Sequence, residues 1–137
     1  MDDVDDSPVQ GLSPEQAWDF LRRHELGRLA HRLGEDLTIV PVNYSVAGQR
    51  LLIRTAQGSK LLGVVMHPRV AFEVDEIGAT SATSVIARGT ATQLSEREVT
   101  DTEALQPRPW IDTPKYEVIA IDLHEISGRT FVVDRRP

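Results

Sequence analysis

Cysteine is absent from this 137-residue chain, which excludes disulfides, thiolate metal ligands and cysteine nucleophiles together. Lysine is scarce: of 15 basic residues only Lys60 and Lys115 are lysines. Against that background, a retained lysine stands out as a specific choice. Long apolar runs are missing too, and none approaches the roughly 20 residues needed to cross a bilayer. The acidic start, Asp2 to Asp6, lacks the positive charge and apolar stretch of a signal peptide. The expectation is a cytoplasmic protein that does not engage membranes. Positive charge is in deficit, with a formal net charge of −6. Nucleic acid is therefore not expected as a partner, because a phosphate backbone calls for a basic patch. A single small anion in a local basic pocket remains compatible with that balance. What is present, 40% hydrophobic and 26% charged residues, fits one soluble domain with a real core.

Residues 1–12 read as a polar, flexible leader and residues 13–137 as a single domain. Ser13, Pro14 and Gln16 form a helix start: an N-cap, a proline at the first helical position and an S-x-x-Q capping box. Ala17, Phe20 and Leu21 then recur at helical spacing, and Gly27 follows as a stop. Strands dominate afterwards. Residues 37–45 alternate, with Leu37, Ile39, Pro41 and Asn43 on one side and Thr38, Val40, Val42 and Tyr44 on the other. Ala47-Gly48-Gln49 predicts a hairpin turn to residues 50–55. Pro41, having no N–H, predicts an edge or a bulge. Further strands are predicted over residues 27–31, 69–75, 83–94 and 116–122, with Gly89 a bend or bulge. Helical turns are expected over 60–67 and 95–104, and an irregular crossover over 106–114. Ser127-Gly128-Arg129 reads as a turn into a short tail strand. The fold class is mainly β (α+β): about six mostly antiparallel strands with short flanking helices, in a barrel or a sandwich.

The stretch that carries chemistry is Arg54-Thr55-Ala56-Gln57-Gly58-Ser59-Lys60. A strand ends, a glycine turn follows and a helix begins at Ser59. Unpaired N–H groups of a first helical turn, a hydroxyl and a mobile ammonium make a phosphate site on physical grounds. The spacing is not that of a G-x-x-x-x-G-K-[ST] loop. An ordinary capped helix with a solvated lysine is the competing reading. His24, His31, His67 and His124 show no metal-ligand spacing.

Four blocks in order resemble the pyridoxamine 5′-phosphate oxidase-like superfamily, the FMN-binding split barrels. They are Pro41-Val42-Asn43-Tyr44, then Arg54-Thr55 to Ser59-Lys60-Leu61, then residues 68–75, then Arg88-Gly89-Thr90-Ala91. The similarity runs from about Ser13 to Phe131 and is to the compact flavin-nucleotide-binding, nitroimidazole-resistance-like branch. It implies a six-stranded split β-barrel that binds FMN at a homodimer interface. Val42, Asn43 and Tyr44 would lie along the isoalloxazine, offering backbone groups. Arg54 and Thr55 would lie near the ribityl chain and phosphate, and Ser59, Lys60 and Leu61 at the phosphate. Arg88 and Trp110 are candidates for reaching the cofactor from the second subunit. Val40 and Val42, with the Trp110 crossover, are expected in the subunit contact. Thr83 stands where relatives of this branch often carry tryptophan, which removes an aromatic wall. The implied activity is a flavin-dependent oxidoreductase acting on a small organic substrate. Alternatives are a deazaflavin or haem in the same groove, or a binding module without turnover.

Overall fold

The computed structural model describes residues 8–110 and 115–133, so the acidic start and residues 111–114 of the crossover lie outside the description. The capping box at Ser13 is present, with Oγ accepting from Gln16 N–H and the Gln16 amide oxygen accepting from Ser13 N–H. It starts helix α1, Pro14–Arg23. Strands β2 (Leu26–Leu33), β3 (Asp36–Ala47) and β4 (Arg50–Ala56) follow. A 3-10 helix, Lys60–Met66, leads to β5 (Arg69–Ile77) and β6 (Ser81–Gln93). Helix α2 (Glu96–Asp101) and the crossover then precede a long β7 (Tyr116–Val132). Six strands close a ring in the order β7-β4-β3-β2-β5-β6, with β6 pairing back onto β7. Every pairing is antiparallel. This is the split barrel.

Two segments differ from the sequence reading. Val9–Gly11, assigned to the flexible leader, forms strand β1 against Arg129–Phe131 of β7. Gly128 is no turn, because β7 runs through it, pairing with Val85. The missing side chain makes room for Leu12, whose Cδ1 lies 2.7 Å from where a Cβ would stand. Leu12 N–H also donates to the Gly128 carbonyl, at 2.8 Å. A side chain from the far end of the chain, not a bend, explains this glycine.

Inside the ring, alternation puts Leu29, Val42, Tyr44, Leu51, Ile53, Phe72, Val85, Ile119 and Ile121 together. Ala17, Phe20 and Leu21 of α1 and Val64 of the 3-10 helix complete this core. A smaller cluster outside the ring, Leu52, Leu94, Val118 and Ala120, packs with Val99 of α2. That cover explains why Leu51, Leu52 and Ile53 are all buried although only alternate residues face inward. Among the described residues no helix is long and apolar enough to cross a membrane.

Tyr44 ties α1 to the barrel. Its ring meets Phe72 edge-on at 4.9 Å, and its hydroxyl donates to the Leu21 carbonyl at 2.6 Å. Burial raises its pKa above the ordinary value of 10.0. The unfolded chain ionises this group above pH ~10 while the folded chain holds its proton, so stability is present below that pH and lost above it. The expected fall is about 1.4 kcal/mol per pH unit. Urea unfolding at alkaline pH should show this slope in the parent and a shallower one in Tyr44→Phe. The variant itself should lose about 1 kcal/mol at neutral pH from the missing hydrogen bond. Parallel pH profiles for the two proteins would contradict the assignment.

Candidate functional site

The split has a specific origin. β3 pairs with β2 along Asp36 to Asn43, but with β4 only from Tyr44 to Ala47. β4 continues through Arg54, Thr55 and Ala56, paired to β7 alone. The two strands therefore part just beyond the Tyr44–Ile53 pair. Pro41 sits on the parted edge of β3, where its lack of an N–H costs no ladder bond. Tyr44 N–H donates to the Glu25 carbonyl at 3.0 Å, on the β2 side. Strand alternation then turns the N–H and C=O of Asn43 the other way, into the opening.

A groove of about 450 Å³ occupies that opening. The barrel side contributes Val42, Asn43, Arg54, Thr55 and Leu61. The crossover contributes Pro107, Pro109 and Trp110, and the start of β7 contributes Tyr116. Arg54 is the notable group. Its guanidinium lies over the Tyr116 ring, 3.5 Å from the centroid. Its Nε is fully buried and has no hydrogen-bond partner. Among the described residues no carboxylate lies within ion-pair distance of Arg54 or Lys60. A half-buried cation held rigidly on an aromatic face, with a donor left over, is what an anionic ligand requires.

The predicted residues divide accordingly. Val42, Asn43, Arg54, Thr55 and Leu61 come together in the groove, and Trp110, expected to reach the cofactor from the second subunit, lines the groove of its own chain instead. Ser59 and Lys60 precede Leu61 without lining the groove themselves. Ser59 Oγ accepts from Leu61 N–H at 3.1 Å, so the cap is as expected. The helix, however, is a seven-residue 3-10 segment. Its dipole is short, and a phosphate here would depend on side chains rather than on the helix end. Tyr44 is corrected: its side chain is in the core and its N–H is bound to Glu25, so it offers the groove nothing. Arg88, the candidate for reaching the cofactor from the second subunit, does not line the groove of its own chain. It lies on the outer face of β6, 3.3 Å from Glu125, in a separate concavity of about 590 Å³ with Arg69, His31 and His124. Thr83 pairs its hydroxyl with that of Thr130 and does not line the groove of its own chain. Tyr116 escaped the sequence reading. Its role follows from the β4–β7 register, which sets Ala56 opposite it, and no local signal announces that.

The class is that of the split β-barrels, here with an aromatic-walled groove and an unpaired cation where β3 and β4 part. The chain belongs to the pyridoxamine 5′-phosphate oxidase family, whose model matches residues 13–130. A solved protein of Corynebacterium glutamicum is 34% identical with a TM-score of 0.81, covering 95% of this chain and 98% of that one. The FAD binding protein of Mycobacterium smegmatis is 30% identical with a TM-score of 0.77, covering 89% and 99%. An uncharacterized protein of Mycobacterium tuberculosis is 37% identical over 87 residues, 63% of this chain and 79% of that one.

Proposed function

We propose that this chain binds a flavin phosphate, FMN in the first place, in the groove between β3 and β4, and acts as a homodimeric oxidoreductase on a small organic substrate. The observation that carries the reading is Arg54: stacked, half-buried and with a donor left unpaired. The FAD bound by the M. smegmatis relative, as its name states, supports a flavin for this chain as well. Arg54 and Thr55 would meet the phosphate and ribityl chain, with Ser59 and Lys60 beside them. The backbone of Asn43 would meet the polar edge of the ring, and Trp110 would wall it. The flavin supplies the hydride and electron chemistry when bound, so no side chain need be reactive. The chain's own work is to hold, orient and exclude water. Among the described groove residues only Tyr116 is of a type that ligates haem iron, and its ring lies under Arg54, which favours a flavin or deazaflavin over an axially ligated haem. The visible absorbance of the purified protein separates the first two.

The homodimer rests on an exposed apolar sheet face. Leu37 is 85% and Ile39 70% exposed, with Ile86 across the sheet and the small Ala30 and Ala71 between. Arg28, bonded to Glu73 and Asp75, borders it. Val40, Val42 and the Trp110 crossover were the expected contacts; the two valines turn toward the core while Trp110 stays exposed, so the residues to test are Leu37, Ile39 and Trp110. A second copy on this face would also be the route by which Arg88 reaches a cofactor. Light scattering of the flavin-loaded protein should give a dimer at micromolar concentration; a flavin-bound monomer would contradict this part.

Lys60→Ala tests the phosphate. The variant should raise the FMN dissociation constant by about tenfold, the worth of one charge-assisted contact. Riboflavin, lacking the phosphate, should bind both proteins alike. Lys60 is exposed, so the melting temperature of the flavin-free protein should barely move. Equal losses for FMN and riboflavin would remove Lys60 from the site.

A further inference from the structure

The crossover that brings Trp110 to the groove has little of its own to hold it. Pro107 and Pro109 have no N–H to donate. Pro107 is buried, yet Arg108, Pro109 and Trp110 are exposed, Trp110 by 58%. Two side chains on the outward face of β3 reach this segment. Asn43 Nδ2 donates to the Arg108 carbonyl at 2.6 Å, and Ser45 Oγ donates to the Leu105 carbonyl at 2.6 Å. Between these two points, Gln106 Nε2 donates to the Val99 carbonyl and to Thr102 Oγ1, tying the segment back to α2. Three consecutive footholds therefore fix residues 105–108. The last lies two residues before the indole. Asn43 has a double position: its main chain opens into the groove while its side chain grips the strap across the groove.

We infer that Asn43 and Ser45 are positioning residues, a two-point latch that sets the proline strap so that Trp110 forms a rigid wall of the cofactor groove. The inference rests on the flavin reading for the nature of what Trp110 faces, and on the two hydrogen bonds for the latch itself. Both donors must be side chains, because a β-strand's own N–H groups lie in the plane of the sheet and cannot reach a strap lying over its face. Both acceptors are main-chain carbonyls, so these two contacts do not depend on the side chains of Leu105 and Arg108. A wall held in advance spares the ligand the entropy of ordering it, and the gain appears as affinity for the ring rather than for the phosphate.

The test separates latch from ligand. In a Trp18→Phe background Trp110 is the sole tryptophan, and its fluorescence anisotropy in flavin-free protein reads the mobility of the strap. Asn43→Ala with Ser45→Ala should lower that anisotropy and raise the dissociation constants of FMN and riboflavin by the same factor, about tenfold. Asn43→Asp, similar in shape but unable to donate from its carboxylate, should behave as Asn43→Ala. Ser45→Thr, which keeps the hydroxyl, should stay near the parent. Unchanged anisotropy in the double variant would overturn the latch. Lowered anisotropy with unchanged flavin affinity would overturn the wall. A parent that binds no flavin would sink the functional reading and the wall with it, while the anisotropy would still decide the latch.

Discussion

Replacing Arg54 with alanine is expected to raise the FMN dissociation constant by about a hundredfold, the largest effect of any single groove substitution. A half-buried guanidinium that is stacked and lacks a carboxylate partner keeps donors free for an anion. Charge-assisted hydrogen bonds contribute about 1.5–3 kcal/mol, and a planar group engages two oxygens at once. Arg54→Lys should recover only part of the loss. It keeps the charge but gives up the flat face over Tyr116 and the fork of donors. Riboflavin should be far less sensitive to either change. The flavin-free protein should lose little stability, since a partly exposed cation–π contact is worth about 0.5–1 kcal/mol. Titration calorimetry with FMN and riboflavin on the three proteins checks all of this. If Arg54→Ala binds FMN as the parent does, Arg54 is not a phosphate ligand and the functional reading loses the observation that carries it.

Gly89→Ala should produce the largest stability loss. β6 and β7 shift register between Arg88 and Gly89, the bulge the glycine predicted. A Cβ at this position would lie 2.3 Å from the Asp122 carbonyl oxygen and 3.0 Å from Ile121 Cγ2. The first of these is backbone and cannot swing aside. β7 would have to move away from β6 along the seam that closes the ring. Overpacking of this kind costs about 3 kcal/mol. For a domain of this size that lowers the melting temperature by roughly 10 °C. Gly11→Ala is the control, because nothing lies within 4 Å of its Cβ position and its backbone is ordinary. Thermal unfolding followed by circular dichroism compares the two. A Gly89→Ala protein that melts with the parent would mean the seam is looser than its contacts imply.

Much of this architecture was legible residue by residue. The capping box at Ser13, the Gly48 hairpin and the alternation in β3 all act within a few residues. So does the Ser59 cap, and each appears in the structure where the pattern placed it. Pro41 marked an edge because a missing N–H is a local property; that the edge is the mouth of the groove is not. Gly128 misled because one residue type serves two ends, a turn or a close approach. Only Leu12, more than a hundred residues earlier in the chain, distinguishes them.

The sequence by itself determined the start of α1, the main strands of the ring, the alternation in β3 and the basic, glycine-broken segment at Arg54–Lys60. Tertiary structure decided which of those residues meet. The parting of β3 from β4 selects Arg54 and Asn43 for the groove and retires Tyr44 to the core. The β4–β7 register brings Tyr116 under Arg54, and the latch joins Asn43 to Arg108 across 65 positions. The reason is one of range. Caps, turns and strand alternation are set by neighbouring backbone groups and leave a signature in a few letters. Registers between distant strands are set by the packing of the whole barrel interior, and no short stretch of sequence encodes that sum.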